Sequence, residues 1–298
     1  MSHQIIHQRK SKKGKVFVAG SKVVVPKSRR IVMPKTSDKE FSVVKLNPRV
    51  QQHIVCFSGG KDSSAMLLRM IELKMPIDRI LFCDTGKEFP QLIEYVKRMN
   101  DYTTRTIGVP VETLRADKTW DDMFFGKIGA SRGGPRFDKA GNPRASNEGK
   151  LRGWPLMGFG CWWSRDSKVK LMDPICKGNI RYMGFGADEK KRLENDKDKV
   201  GYTFPLADWG WSEEDARQYL IDNGWAEQYH LDFNRTGCFF CPKQRADSLR
   251  TLCKLYPEQW DELMRYATEA QKPEFASHTF TPAITFDKLK QIERECKT

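Results

Sequence analysis

The sequence predicts an α/β protein, a parallel sheet covered by helices, and three observations carry that prediction. From residue 53 onward short apolar runs alternate with amphipathic segments in a βαβαβ rhythm, and a glycine-containing turn joins the first run to the segment after it. A chain of 298 residues, 39% hydrophobic, is also long enough to bury a sizeable core and carry surface elaboration.

The elements follow in order. His53-Ile-Val-Cys-Phe57 reads as the first strand, Ser63 to Lys74 as the first helix and Arg79-Ile-Leu-Phe-Cys83 as the second strand. Glu88 to Asn100 is the second helix and Val109 to Leu114 the third strand. Residues 117–160 break the rhythm with nine glycines between Gly126 and Gly160, which predicts a mobile glycine-rich insertion over the site. Asn179 to Gly184 restores a strand, and Glu189 to Lys199 reads as a charged, solvated linker. Beyond Trp211 the chain turns helical. Ser212 caps a helix with Glu213, Glu214 and Asp215 in its first turn, and Gly224 stops it. A further helix carries an apolar stripe (Leu249, Leu252, Cys253, Tyr256), bends at Pro257 and continues through Trp260, Leu263 and Met264. The organisation expected is a basic arm over 1–49, an α/β domain over 50–210 and a helical C-terminal subdomain over 211–298.

Charge is unevenly placed. The chain holds 52 Lys and Arg against 38 Asp and Glu, a net charge of +14. Residues 1–50 contain 13 basic residues against Asp38 and Glu40, so a surplus of 11 sits in the first sixth of the chain. Such an arm gathers phosphates in a salt-dependent, sequence-blind way, and the alternative is a solvated leader that aids solubility. The β-prone runs Val16-Phe-Val-Ala19 and Val23-Val-Val25 predict some structure within it. No run has the roughly 18 apolar residues of a membrane span and the first residues lack a signal-like apolar stretch, so a cytoplasmic protein is expected, with no membrane partner. In that compartment closely spaced cysteines point to metal or redox chemistry more than to structural disulfides.

The most informative segment is the turn Ser58, Gly59, Gly60, Lys61, Asp62, Ser63 between the first strand and first helix. Two glycines let the backbone fold so that its N–H groups converge on an oxyanion; the helix N-terminus, Lys61 and the serine hydroxyls add donors. The spacing of a Walker A loop is absent. This segment resembles the phosphate loop of the PP-loop ATP pyrophosphatases, and further motifs resemble their phosphoadenosine phosphosulfate (PAPS) reductase-like branch. They are Asp84-Thr85-Gly86 at the end of the second strand, Cys161-Trp-Trp-Ser-Arg-Asp-Ser-Lys168, Gly184 to Arg192, and Phe204-Pro-Leu-Ala-Asp-Trp209 with Ser212 to Asp215. The resemblance covers about residues 50–245 and implies a Rossmann-like sheet of the adenine nucleotide alpha-hydrolase type. It implies ATP and Mg²⁺ as ligands, with Ser58 to Ser63, Asp84, Thr85, Gly86, Gly184 and Arg192 around the nucleotide. Lys61, Asp62 and Asp84 are the candidate catalytic residues, the two aspartates as Mg²⁺ or ribose contacts.

Gly237-Cys238-Phe-Phe-Cys241-Pro242 is a CxxC motif, and Cys161 and Cys176 supply two thiols upstream. Four thiolates suit a [4Fe–4S] cluster or a Cys₄ zinc site, while a redox CxxC and unliganded cysteines are the alternatives. The resemblance, which extends to DndC-type DNA phosphorothioation proteins, favours iron–sulfur. The tandem Cys-Cys of sulfonucleotide reductases is Cys161-Trp162 here, so Cys176 has to complete the set. Cys56, Cys83 and Cys253 read as core residues. Reductases also end in Glu-Cys-Gly-Leu-His and show an altered loop, whereas this chain keeps the full loop and ends Arg294-Glu-Cys-Lys-Thr298, with Cys296 a weak candidate nucleophile.

The resulting expectation is an ATP pyrophosphatase that adenylates a nucleic-acid oxygen for sulfur incorporation, with DNA phosphorothioation first and tRNA thiolation second. A cysteine desulfurase is the expected sulfur donor, and Arg132, Arg136, Arg144 and Arg152 are candidate phosphate contacts on the insertion. The alternatives are a PAPS or APS reductase and a non-catalytic nucleic-acid-binding subunit.

Overall fold

The computed structural model describes residues 16–18, 21–23, 51–130, 146–157, 160–239 and 241–297. Contacts divide the chain into two units, Met1–Pro48 and Arg49–Thr298. Within the first, Val16–Val18 pairs antiparallel with Ser21–Val23, with Phe17 opposite Lys22, on the stretch where the β-prone runs lie.

The second unit is built on five parallel strands: β1 (His53–Cys56), β2 (Arg79–Asp84), β3 (Val111–Arg115), β4 (Ile180–Met183) and β5 (Tyr202–Thr203). Their spatial order is β5-β4-β1-β2-β3. The expected Rossmann-like α/β fold is present, and the order reverses beside β1, which has β2 on one side and β4 on the other. In an open parallel sheet that reversal opens a crevice at the strand C-termini, where ligands bind.

Both faces are covered because side chains alternate along each strand. Val55, Phe57, Ile80 and Phe82 point into the large core under α1 (Lys61–Glu72) and α2 (Pro90–Ile107). Ile54 and Leu81 point to the other face, where the helix Lys170–Cys176 seals a small core through Cys176. Gly108, at φ +72°, ends α2 in the left-handed region that glycine enters without strain.

The helical segment shares the large core with the sheet. It comprises α3 (Glu213–Asp222), α4 (Ala246–Leu255), α5 (Pro257–Glu269) and α6 (Phe286–Lys297). Ser212 caps α3 as expected, its hydroxyl accepting from Asp215 N while Asp215 accepts from Ser212 N. Pro257 separates α4 from α5 and starts the latter, where a missing N–H costs nothing. Phe89, at the head of α2, packs against Tyr229, Phe233, Phe239 and Tyr256 at ring-centroid distances of 5.0–6.4 Å. Each such buried ring contributes roughly 1.5–3 kcal/mol, which fastens the helices to the sheet.

Two expectations change. The flanks of the 117–160 insertion are folded: Trp120–Phe124 is a helix with buried Trp120 and Phe124, and Leu151–Gly153 pairs in parallel with Phe275–Ser277. Aromatic side chains outweigh the local glycine content there, and Trp154 is 1% exposed. Arg132, Arg136 and Arg144 lie outside the described residues, while Arg152 stacks over Trp162 at 5.1 Å. The 189–199 segment contains the helix Lys190–Asp196. No helix among the described residues is long and apolar enough to cross a membrane.

Candidate functional site

Residues 58–63 turn directly from β1 into α1. Gly59, at φ +72°, takes a left-handed conformation, and a Cβ there would sit 3.1 Å from Leu92. Gly60 is the extended N-cap of α1 and makes no side-chain cap, so the first N–H groups of a 12-residue helix face the cavity without a competing acceptor. The turn is held by its own hydroxyls: Ser58 N donates to Ser63 Oγ at 3.1 Å, and Ser63 and Ser64 donate to Gly60 O at 3.1 and 2.8 Å.

Residues far away in sequence hold the turn from behind. Tyr229 OH and His230 Nε2 both donate to Gly59 O, at 3.0 and 2.9 Å. His230 Nδ1 accepts from Glu227 N, which places the ring proton on Nε2. Burial pulls His230 down to about 4, so it is neutral there at pH 7. Thr236 Oγ1 would lie 2.7 Å from a Cβ on Gly60, so the 234–237 segment abuts the turn. Gly184, at the end of β4, passes within 3.0 Å of Ser63 N and Cα measured from the position of an added Cβ. Only glycine allows that approach.

Lys61 is 3% exposed and its ammonium lies between Asp62 (2.9 and 3.0 Å) and Glu213 (2.8 Å) at the start of α3. Burial raises the Asp62 carboxyl to about 6, against the opposing pull of Lys61. Arg192 pairs with Glu189 and stacks over Phe185 at 3.8 Å. These groups line one cavity of about 1000 Å³ at the sheet's reversal point, walled by the 58–63 turn and the end of β4.

Asp84, Thr85 and Gly86 instead line a separate cavity of about 210 Å³. Asp84 Oδ1 accepts from Gly86 N at 2.7 Å and Oδ2 pairs with Arg115 at 2.8 Å, so both oxygens are engaged. Of the two aspartates expected to contact Mg²⁺ or ribose, only Asp62 faces the large cavity. Magnesium usually joins a site through one or two carboxylates plus substrate phosphates, and Asp62 fits that minimal role.

The four-cysteine set does not assemble. Cys176 packs with Ile54, Leu81 and Cys56 on the opposite face of the sheet. Its hydrogen bond with Cys56 brings it down to about 7, aided by Arg181 and opposed by burial, and that same bond raises Cys56. Cys161, Cys238 and Cys241 remain neighbours: Cys241 N donates to Cys238 O at 2.9 Å, and burial, reinforced by Cys241, raises Cys161. Burial and the Glu88 charge raise Cys238 well above the ordinary thiol range, so it keeps its proton and donates it to Thr85 Oγ1 at 3.1 Å. Among the described residues no three His, Cys, Asp or Glu side chains converge to hold a metal ion. A [4Fe–4S] cluster or Cys₄ zinc ion on these four cysteines therefore does not fit, because the helix that carries Cys176 covers the face of the sheet that Ile54 and Leu81 occupy. Cys296 lies on α6, where its thiol donates to Arg250 O at 3.8 Å and packs, partly buried, against the core, away from both cavities.

The sequence reading missed Glu213 as a partner of Lys61 and Tyr229, His230 and Thr236 as supports of the turn. Glu213 stood out only as a first-turn acid; nothing local marked the other three.

Residues 52–129 match the family model described as a phosphoadenosine phosphosulfate reductase domain. Two uncharacterized proteins of Methanocaldococcus jannaschii are similar: MJ0066 is 23% identical over 72% of this chain, and MJ0973 is 27% identical over 70% of it. The matches span 42% and 46% of those proteins, so this chain accounts for under half the length of the relatives it matches.

Proposed function

We propose, from the match of residues 52–129 to the phosphoadenosine phosphosulfate reductase domain model, that the chain is an ATP pyrophosphatase of the PAPS reductase-like branch of the PP-loop superfamily, one that activates an oxygen of a nucleic acid for replacement by sulfur. The observation that carries this reading is the complete Ser58-to-Ser63 turn at the head of α1, opening on the large cavity at the sheet's reversal point. In this reading the acceptor oxygen attacks the α-phosphorus of ATP and pyrophosphate leaves; the outer sulfur of a cysteine persulfide then displaces AMP, and a second thiol attacks the carrier's own sulfur, freeing the thiolated acceptor and leaving a disulfide.

The residues have distinct parts in it. The N–H groups at the start of α1 and the Lys61 ammonium face the charge that builds on the departing pyrophosphate. Glu213 and Asp62 hold the Lys61 ammonium in place, and Tyr229 and His230 fix the turn through Gly59 O. Asp62 would be the protein carboxylate for a Mg²⁺ ion bound with the nucleotide, and that ion would supply further neutralisation of the phosphates. The basic arm holds the polymer, DNA first and tRNA second, and a cysteine desulfurase delivers the sulfur.

The second reading is a sulfonucleotide reductase, favoured by the description of the matching family domain. The placement of Cys296 against Arg250 opposes a terminal-cysteine nucleophile. Pyrophosphate release from ATP with DNA, tRNA or no polymer, run beside sulfite release from PAPS with a thiol reductant, separates the two. Polymer-stimulated pyrophosphate release is the expected result; sulfite release without ATP cleavage establishes the reductase instead.

A further inference from the structure

The cationic side chains of the large cavity are not equivalent. Lys61, Lys168, Arg181, Arg192, Lys199 and Arg217 line it, and each lies within ion-pair distance of a carboxylate. Arg235 and Arg245 line it too, are exposed, and have no carboxylate partner among the described residues. A guanidinium stays charged at any working pH and offers five donors in a planar fork that matches an oxyanion. Two of them left unneutralised in one cavity wall make that wall an anion receptor, while the remaining cations are already balanced.

Their backbone positions are fixed. Arg235 precedes Thr236, which is buried against Gly60 of the phosphate turn. Asn234, before it, accepts from Arg217 at 3.3 Å. Arg245 follows the Cys238–Gln244 turn, in which Gln244 N donates to Cys241 O and Gln244 Nε2 to Phe239 O, both at 2.9 Å. The two arginines thus bracket the CxxC loop on the cavity side, one beside the phosphate turn and the other at the head of α4. A cavity of about 1000 Å³ is at the upper end of the roughly 300–1,000 Å³ range of small-molecule pockets, which leaves room beyond a nucleotide.

We propose that Arg235 and Arg245 form an oxyanion subsite that takes a phosphate group of the acceptor, next to the nucleotide's own phosphates and facing the CxxC loop. This rests on the activating reading above, in which a second, phosphate-bearing substrate enters the same cavity. The phosphate could come from a polynucleotide backbone or from a small bisphosphorylated nucleotide, and the test separates these sources.

Full-length wild-type protein and the R235A/R245A and R235K/R245K variants would be titrated with a fluorescent single-stranded oligonucleotide, adenosine 3′,5′-bisphosphate and α,β-methylene ATP at several salt concentrations. The alanine pair is expected to bind the oligonucleotide about tenfold more weakly. Its log–log salt slope should fall by about 1.4, at roughly 0.7 per lost contact to a single strand, while binding of the ATP analogue is unchanged. The lysine pair keeps the slope because it keeps the charge. Lost affinity for the bisphosphate alone supports the subsite and assigns it to a small nucleotide, which overturns the polymer acceptor. The same losses in a protein that releases no pyrophosphate support the subsite and overturn the activating reaction. Unchanged binding of both phosphate probes, no wild-type binding of either, or equal loss of the ATP analogue overturns the subsite.

Discussion

His230 makes folding stability and the shape of the 58–63 turn depend on pH together. Its ring is 1% exposed, donates from Nε2 to Gly59 O and accepts at Nδ1 from Glu227 N, so a second proton has no acceptor and breaks the bond to Glu227. Its pKa is lowered by burial from an ordinary 6.5 to about 4. A histidine whose folded pKa is depressed contributes stability that is present above the unfolded value and is lost as pH falls from 6.5 toward 4. Between pH 7 and pH 5 the unfolded chain gains about 0.7 of a proton that the folded chain largely refuses, a loss of about 2 kcal/mol from this residue. Asp62, raised to about 6, acts in the opposite sense: the folded state binds its proton first and gains roughly 1 kcal/mol over the same range. These two contributions largely offset each other, and a variant is needed to see the His230 part. His230→Gln keeps an N–H donor for Gly59 O and removes the titration. Urea unfolding of both proteins at pH 7, 6 and 5 should show the variant gaining about 2 kcal/mol relative to wild type as pH falls. Parallel pH dependences of the two proteins would refute the reasoning, because they would mean that His230 titrates alike when folded and unfolded.

Three further outcomes follow from the same geometry. Lys61→Met should abolish pyrophosphate release and also destabilise the fold by about 3 kcal/mol, since it leaves Asp62 and Glu213 without their shared cation; kinetics beside chemical denaturation reads both. Gly184→Ala should weaken ATP-analogue binding at least tenfold, because the new methyl meets the Ser63 backbone at 3.0 Å and pushes the turn; calorimetric titration checks it, and wild-type affinity would show that the strand yields instead. Cys176→Ser should leave the iron and zinc content of anaerobically purified protein at the wild-type level, since Cys176 lies with Cys56 across the sheet; a fall in metal content by elemental analysis would restore the four-cysteine site.

The strand, turn and helix over residues 53–72 were legible because everything that defines them is local: an apolar run, two glycines, and donors at fixed spacing from a helix start. The same holds for the Ser212 cap; Pro257, expected to bend one continuous helix, instead ends that run and starts a second helix. The parallel sheet was legible at one remove, since a strand, a crossover helix and another strand have one common handed solution. The sequence by itself therefore determined the α/β class, the glycine turn over residues 58–63 and the likeness to the PAPS reductase-like branch.

What surrounds the turn was decided only in three dimensions. Glu213 reaches Lys61 from 152 residues away and His230 reaches Gly59 from 171, and no spacing rule links residues so far apart. Cys176 was counted with the other cysteines because a sequence shows which thiols exist and hides the face of the sheet on which each one lies. A two-residue alternation sends Ile54 and Val55 to opposite cores, and the helix that carries Cys176 covers the Ile54 side. Local patterns fix what a segment becomes; long-range packing against a two-faced sheet fixes which side chains meet.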